Sequence, residues 1–289
     1  MQTIKLNNGI EMPILGFGVF QVENEKCQRV VEDALSVGYR LIDTASSYQN
    51  EKAVGCAIKN SGIKREDLFV TTKAFIQEMG YEKTKTAFEN SLKNLGLDYL
   101  DLYLIHMPFG DYYGSYRAMI ELYNEGKIKS IGVSNFMSDR IMDLCYNFNV
   151  IPAVNQVELH PYYQREAEIK ILREYGIQPQ AWAPFAEGMN GMFNNPLLSE
   201  IAKNHNKSTA QVILKWNIQR NIAVIPKSIH KNRMEENINV FDFELTQEEM
   251  IQITALDLAK PQMLDTRVPS EVSRLYNYLE NPVLTSLEN

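Results

Sequence analysis

The chain has 289 residues, of which 45% are hydrophobic and 22% are charged, a composition typical of a globular protein. No apolar run approaches the roughly 20 residues that a membrane-spanning helix needs, so we expect no membrane association. The formal net charge of −7 argues against a general nucleic-acid-binding protein, because such affinity depends on clustered lysine and arginine. An anionic ligand would therefore need a local basic pocket.

The amino-terminal segment and the cysteines bear on the compartment. The first nine residues lack the apolar stretch of a signal peptide, and the three cysteines, Cys27, Cys56 and Cys145, are scattered and odd in number. We therefore expect a reducing cytoplasm and no disulfide framework. Few features favour association, so a monomer is the default expectation.

A short hairpin comes first in the chain, and a repeating pattern follows it. Residues 3–6 and 10–12 flank an Asn-Asn-Gly turn, whose residues tolerate positive φ. Eight apolar segments then predict strands at 16–20, 41–43, 68–73, 100–106, 130–134, 153–157, 178–182 and 222–225. Segments with helical apolar spacing lie between them. Glycines suited to helix carboxyl ends follow several of these segments, at Gly38, Gly96, Gly126 and Gly176.

This alternation predicts the fold class. Eight strands that alternate with helices, with no Gly/Ser/Pro-rich linker, favour an α/β fold in the form of a closed (β/α)8 TIM barrel. A doubly wound sheet with a second domain is less favoured, and we expect residues 1–289 to form one domain. The sequence at 246–249 predicts a capping box that opens a helix. Residues 261–289 are expected to form an irregular tail over one mouth of the barrel.

Polar side chains close three consecutive strands. Asp43 ends the second strand, Lys73 the third and His106 the fourth, and Tyr48 follows in the second loop. Each one alone fits an ordinary structural role, such as a helix cap or a satisfied core histidine. Because the carboxyl ends of barrel strands face one opening, the four groups are expected to converge there.

This set of groups suits proton donation to a carbonyl oxygen. A free tyrosine has a pKa near 10, so we expect the Lys73 ammonium to lower the pKa of Tyr48 by stabilising its phenolate. Asp43 would pair with Lys73 and balance its buried charge. His106 would donate a hydrogen bond to the carbonyl oxygen. None of these groups can deliver hydride, so a cofactor is required.

The surrounding motifs resemble those of the aldo-keto reductase family. They are LIDTA at 41–45, TTK at 71–73, LIHMP at 104–108, GVSNF at 132–136, NQVELHP at 155–161, AWAP at 181–184 and IPKS at 225–228. The likeness covers roughly residues 3–245. The chain resembles a bacterial branch of the family, similar to 2,5-diketogluconate reductases, which has tryptophan at the position of Trp182. The resemblance implies a (β/α)8 reductase that uses NADPH without a Rossmann domain.

The resemblance also implies roles for individual residues. Ser134, Asn135 and Gln156 would hydrogen-bond the nicotinamide carboxamide, with Asp43 beside them, and the Trp182 ring would stack on the nicotinamide face. The 2′-phosphate and adenine would be held by Lys227, Ser228, Arg233, Glu236 and Asn237. Two cations and a hydroxyl near the start of a helix independently favour an anion site.

The substrate pocket is expected to include Phe20, Tyr48, His106 and Met107. Phe20 and Met107 replace residues that are often tryptophan in mammalian members of the family, so substrate preference does not transfer to this chain. The histidines outside this set lack metal-ligand companions at useful spacing, and no metal is expected.

Three functions fit this reading. The first is reduction of a small aldehyde, ketone, dicarbonyl or keto-sugar by NADPH. The second is a Schiff-base aldolase with Lys73 as the nucleophile. The third is an NADPH-binding sensor or regulatory subunit with weak catalysis. Retention of all four rim residues favours the first.

Overall fold

A computed structural model describes residues 2–280 and contains, within that range, ten strands and eleven α-helices. The strands are β1 (Thr3–Lys5), β2 (Glu11–Pro13), β3 (Phe17–Gly18), β4 (Leu41–Asp43), β5 (Phe69–Ala74), β6 (Leu102–Ile105), β7 (Ile131–Ser134), β8 (Val154–Glu158), β9 (Gln178–Trp182) and β10 (Ala223–Val224). Within residues 2–280, no helix is both long and apolar enough to span a bilayer.

The helices follow the strands in alternation and then extend beyond the last strand. They are α1 (Asn24–Val37), α2 (Glu51–Ser61), α3 (Tyr81–Leu95), α4 (Tyr112–Asn124), α5 (Ser138–Asn147), α6 (Glu166–Glu174), α7 (Pro196–Asn204), α8 (Thr209–Gln219), α9 (Lys231–Ile238), α10 (Gln247–Thr254) and α11 (Pro269–Tyr276).

Strands β3 to β10 form one parallel sheet in which each strand pairs with the next along the chain. A parallel bridge between Leu15 and Val224 joins the first strand to the last. The Gly16 amide donates to the Val224 carbonyl at 2.8 Å, and the Val224 amide donates to the Ile14 carbonyl at 2.9 Å. The predicted (β/α)8 barrel is therefore confirmed, and backbone hydrogen bonds between its first and last strands close it.

The hairpin and the helix ends also follow the predictions. Strands β1 and β2 pair antiparallel, with Gly9 at a φ of 89° in the turn. Gly38, at a φ of 120°, ends α1, and its amide donates to two carbonyls of the last helical turn. The predicted capping box is present, since Thr246 Oγ1 accepts from the Glu249 amide and opens α10.

The core lies inside the barrel and between the barrel and its helices. Strand β5 is buried along all six residues, as expected for a parallel strand covered on both faces. A Cβ atom at Gly132 would lie 2.6 Å from the Val154 carbonyl oxygen. Glycine at this position therefore permits the close approach of β7 and β8.

The tail departs from the prediction in one respect. The sequence predicts an irregular segment from residue 261 onward, but α11 forms within it, with Pro269 in the first turn. Leu275 of this helix is 3% exposed and packs against residues at the strand ends. That packing depends on contacts distant in sequence, which local spacing does not reveal. The tail covers the mouth formed by the carboxyl ends of the strands as far as it is described, and residues 281–289 lie outside the described range.

Candidate active site

One cavity of about 1240 Å³ opens at the carboxyl ends of the strands. The predicted site residues that line it are Phe20, Asp43, Tyr48, His106, Met107, Ser134, Asn135, Gln156, Trp182, Lys227, Ser228, Arg233, Glu236 and Asn237. The remaining predicted residue, Lys73, lies directly behind the cavity wall and is fully buried. The structure thus brings the whole predicted set together, because parallel strands of a barrel end at a common rim.

Asp43 and Lys73 form a buried ion pair at the floor of the cavity. Lys73 Nζ lies 2.5 Å from Asp43 Oδ1, and it also donates to the Thr44 carbonyl at 2.8 Å. The other carboxylate oxygen accepts from Gln156 Nε2 at 2.7 Å. Burial raises the pKa of Asp43 and lowers the pKa of Lys73. The attraction between the two opposite charges opposes both shifts. The pair is held together because neither charge has water as an alternative.

Tyr48 stands beside this pair. It belongs to a short 3₁₀ turn, Ser46–Tyr48, that follows β4, and Lys73 Nζ donates to its hydroxyl oxygen at 3.4 Å. The ring centroids of Phe20 and His106 lie 5.0 and 5.6 Å from the Tyr48 ring centroid. The phenol therefore reaches the cavity between a cation on one side and two rings on the other.

The expected acidification of Tyr48 is wrong for this structure. Withdrawal of the phenol from water raises the pKa of Tyr48 well above 10.0, and the negative charge of Asp43 and the phenol of Tyr278 add to that rise. Burial is the largest of these effects, and the Lys73 ammonium beside the phenol is itself paired with Asp43 at 2.5 Å. Tyr48 consequently holds its proton at ordinary pH, the state that a proton donor requires.

His106 is neutral at ordinary pH. It is 7% exposed, and burial followed by the positive charge of Lys73 lowers the pKa of His106 well below 6.5. Ser47 Oγ lies 3.4 Å from Nδ1. When the Ser47 hydroxyl donates, the ring proton resides on Nε2, which can then donate into the cavity. Ser47 was missed in the sequence, where nothing distinguishes it from its neighbours.

A polar network follows along the cavity wall from the ends of β7 to β9. Ser134 Oγ donates to the Gln156 carbonyl at 2.8 Å, and Asn135 Nδ2 donates to the His106 carbonyl at 3.1 Å. Asn135 Oδ1 accepts from Trp182 Nε1 at 2.9 Å. Asn135 has a φ of 62°, a left-handed conformation that asparagine tolerates. The network fixes the orientation of the Trp182 ring at the wall.

The far end of the cavity is basic and more open. Lys227 is half-buried, and Arg233 is exposed in the first turn of α9. Ser228 is 7% exposed, and its Oγ accepts from the His230 amide at 3.1 Å. Glu236 Oε1 accepts from Ser208 Oγ at 2.5 Å, and Asn237, 5% exposed, also lines the cavity. Cations near a helix amino terminus can hold an anion of several charges.

Comparison with known proteins identifies the family. The model of the Aldo/keto reductase family matches residues 14–258. The chain belongs to this family. It is an oxidoreductase that acts on carbonyl groups, and the resemblance drawn from the motifs is confirmed.

Individual relatives span most of the reductase. A glyoxal reductase of Bacillus subtilis (strain 168) is 49% identical over 261 residues, which cover 88% of this chain and 92% of that protein. The methylglyoxal reductase DkgA of Escherichia coli (strain K12) is 41% identical over 260 residues, which cover 89% and 94%. The crystal structure of a Bombyx mori aldo-keto reductase in complex with NADP matches with a TM-score of 0.88 at 34% identity, covering 92% of this chain and 96% of that one.

The reductase has a pocket wall that the sequence did not reveal. Phe75, Ile76, Met107 and Leu275 form a buried cluster, with Phe109, Leu264 and Tyr278 packed against it. The Phe75 ring centroid lies 5.3 Å from that of His106 and 5.6 Å from that of Tyr278. Leu264, Leu275 and Tyr278 of this cluster come from the tail, so only the folded structure brings them to the strand ends.

No metal site is evident in the part of the reductase that the structure describes. Residues 2–280 contain no group of three or more His, Cys, Asp or Glu side chains placed to hold a metal ion.

Proposed function

We propose that this reductase uses NADPH to reduce small aldehydes, ketones, dicarbonyls or keto-sugars to alcohols. The observation that carries the proposal is the contact of Tyr48 with the Lys73–Asp43 pair at one end of a cavity whose other end holds Lys227 and Arg233. The names of the glyoxal and methylglyoxal reductases support small carbonyl compounds as substrates. The NADP complex of the Bombyx mori relative supports the cofactor.

The residues present fit a dinucleotide phosphate. A cavity of about 1240 Å³ runs from the catalytic end to the basic end, with a large flat ring, that of Trp182, between them. Ser134, Asn135, Gln156 and Trp182 would hold the nicotinamide. Lys227, Ser228, Arg233, Glu236 and Asn237 would hold the 2′-phosphate and adenine. When bound, NADPH supplies the hydride that no side chain can provide.

The side chains of the chain itself account for the rest of the reaction. Tyr48 is protonated at ordinary pH and gives its proton to the carbonyl oxygen. His106 Nε2 donates a hydrogen bond that orients that oxygen and stabilises the charge that develops on it. Lys73 stabilises the phenolate that Tyr48 becomes, and Asp43 keeps the ammonium in place. In the oxidation of an alcohol the same groups act in reverse.

Burial of Lys73 weighs against the aldolase alternative. A Schiff-base lysine must reach the substrate as a free amine, but Lys73 is fully buried, paired with Asp43 and absent from the cavity lining. The complete set of Tyr48, Lys73, Asp43 and His106 likewise weighs against a sensor that has lost catalysis.

We further propose that the reductase acts as a single domain, as a monomer and in the cytoplasm. One core cluster reaches from Ile4 of the hairpin to Ile253 of α10, which supports a single folded unit. The three cysteines are free, and Cys27 is buried, which supports a reducing compartment.

The test is an absorbance assay of NADPH consumption with a panel of small aldehydes, diketones and keto-sugars. We expect turnover of at least one α-dicarbonyl and no metal requirement. A second arm adds borohydride to enzyme and substrate without cofactor. Covalent trapping of substrate on Lys73, without NADPH consumption for any carbonyl in the panel, would overturn the proposal in favour of the aldolase.

A further inference from the structure

The carboxylate of Glu158 lies outside the catalytic set and receives several hydrogen bonds. Glu158 is the last residue of β8, and its side chain is 1% exposed. Oε1 accepts from the backbone amides of Gln262 at 2.6 Å and Met263 at 3.2 Å, and Oε2 accepts from the Leu264 amide at 3.1 Å. His160 Nε2 lies 3.2 Å from Oε1. Three consecutive amides of the tail therefore converge on one buried side chain of the barrel.

The tail residues held by this carboxylate form part of the cavity wall. Gln262, Met263 and Leu264 all line the cavity, whereas Glu158 does not. Leu264 packs against the cluster that contains Phe75, Met107 and Leu275 at the substrate end. The position of residues 262–264 therefore sets the shape of that end.

The geometry makes this link strong. Hydrogen bonds from amides to a carboxylate are shorter and stronger than those between neutral groups. Successive amides around one anion form a concave binding arrangement, and a dry surrounding strengthens each bond because no water competes. By contrast, the link from Gln77 Nε2 to the Tyr276 carbonyl, at 2.8 Å, is exposed to water.

We propose that Glu158 is a positioning residue that holds segment 262–264 as a wall of the substrate pocket and thereby sets the affinity for bulky carbonyl compounds. The inference rests on the proposed reductase function. Glu158 acts through the tail and does not touch the substrate. Substrates that reach the wall, such as aromatic aldehydes, depend on it. A three-carbon aldehyde that contacts only the catalytic end does not.

The experiment compares benzaldehyde and propanal in wild type and Glu158→Gln. The amide keeps the size of the side chain, but its NH₂ group points at an amide that formerly donated to the carboxylate. We expect the KM for benzaldehyde to rise about tenfold or more, the factor that corresponds to roughly 1.4 kcal/mol. The KM for propanal, the kcat for both substrates and the Kd for NADPH should stay close to wild type.

Control variants distinguish displacement of the pocket wall from a general loss of structure. Glu174→Gln makes the same chemical change at an exposed position of α6 and should leave both KM values unchanged. Met263→Pro and Met263→Ala both shorten the side chain, but only proline removes the amide that donates to Glu158. We expect the proline variant to raise the benzaldehyde KM well beyond the alanine variant, which tests the link without altering Glu158.

The outcomes are distinguishable. A rise in KM for benzaldehyde alone, matched by Met263→Pro, supports the proposal. Equal rises for both aldehydes, unchanged KM values, or loss of NADPH binding in Glu158→Gln would overturn it. If wild type turns over neither aldehyde nor any other carbonyl compound, the proposed function fails, independently of the tail.

Discussion

The two ends of the cavity are built differently. At the catalytic end, the side chains of Lys73 and Asp43 are 0% and 3% exposed and are bonded to each other at 2.5 Å. At the basic end, Arg233 is exposed and, within residues 2–280, forms no ion pair, while Lys227 is half-buried. Both ends carry charge, but Lys73 is paired directly with a carboxylate, whereas Arg233 has no such pair within residues 2–280.

The difference follows from solvation. A buried charge without a partner is costly, so the catalytic groups must be assembled by the chain itself. An exposed cation is solvated by water and can remain available for a phosphate. Substitutions at the catalytic end should therefore affect chemistry and stability, and substitutions at the basic end should affect cofactor affinity alone.

The largest effect is expected for Tyr48→Phe. Loss of the proton donor should lower kcat by about 10³-fold, within the range of general acid catalysis. The Kd for NADPH, measured by fluorescence, should stay near wild type. Tyr146→Phe, at a tyrosine that is 78% exposed, is the matched control and should have no effect. Loss of NADPH binding in Tyr48→Phe would contradict the assignment of Tyr48 as the proton donor.

Lys73→Met should lower both activity and stability, and a second substitution should separate these two effects. The variant leaves the Asp43 carboxylate buried and unpaired, and we expect the free energy of unfolding to fall by about 3–5 kcal/mol. Adding Asp43→Asn should restore most of the stability and none of the activity. Urea unfolding measures the first effect, and NADPH consumption measures the second.

An exposed ion pair provides the control for Lys73→Met. The side chain of Lys127 is 43% exposed and lies beside Glu89 and Glu125. Lys127→Met should lower the free energy of unfolding by less than about 1 kcal/mol. Equal costs at positions 73 and 127 would contradict the internal compensation described for the catalytic end.

At the basic end, Arg233→Ala should weaken NADPH binding about 10- to 100-fold, because a charge-assisted contact with phosphate is lost. NADH, which lacks the 2′-phosphate, should bind almost as before, and the free energy of unfolding should not change. Lys231→Ala removes a cation from the same helix without altering the cavity lining. Equal losses of affinity for NADPH and NADH in Arg233→Ala would contradict the assignment of Arg233 to the 2′-phosphate.

The smallest expected effect concerns His106 and pH. Since burial lowers the pKa of His106 well below 6.5, the unfolded chain binds a proton below pH 6.5 that the folded chain lacks. Stability should therefore fall as pH is lowered from 7 to 5, by up to about 1.4 kcal/mol per unit from this group. His106→Gln should show a shallower decline in chemical unfolding at these pH values. Parallel curves for the two proteins would show that His106 titrates normally.

Much of the fold and the site follows from residues close in sequence. The apolar strands end in Asp43, Lys73 and His106, and parallel strands of a barrel bring those ends to one rim. The motif resemblance then names the residues of the basic end. The convergence of the strand ends needs only periodicity and topology, whereas the roles at the basic end depend on the family resemblance.

The remainder depends on contacts that no local pattern contains. Helix α11 is eight residues long, and it packs through Leu275 onto Phe75, some 200 positions earlier in the chain. The pKa of Tyr48 rises because the folded site excludes water and brings Asp43 and Tyr278 near the phenol. The sequence shows the Lys73 charge but not the burial of Tyr48, and the charge alone predicts a shift of the pKa in the opposite direction.

The most direct test of the central claim follows the hydrogen that reaches the carbonyl carbon. Wild type would be given NADPH deuterated at the transferable C4 position and an aldehyde from the panel, and the alcohol would be analysed by mass spectrometry and NMR. We predict one deuterium on the carbinol carbon in wild type, and alcohol formation by Tyr48→Phe that is slower by about 10³-fold. Alcohol without deuterium, or deuterated alcohol formed equally fast by Tyr48→Phe, would contradict the account.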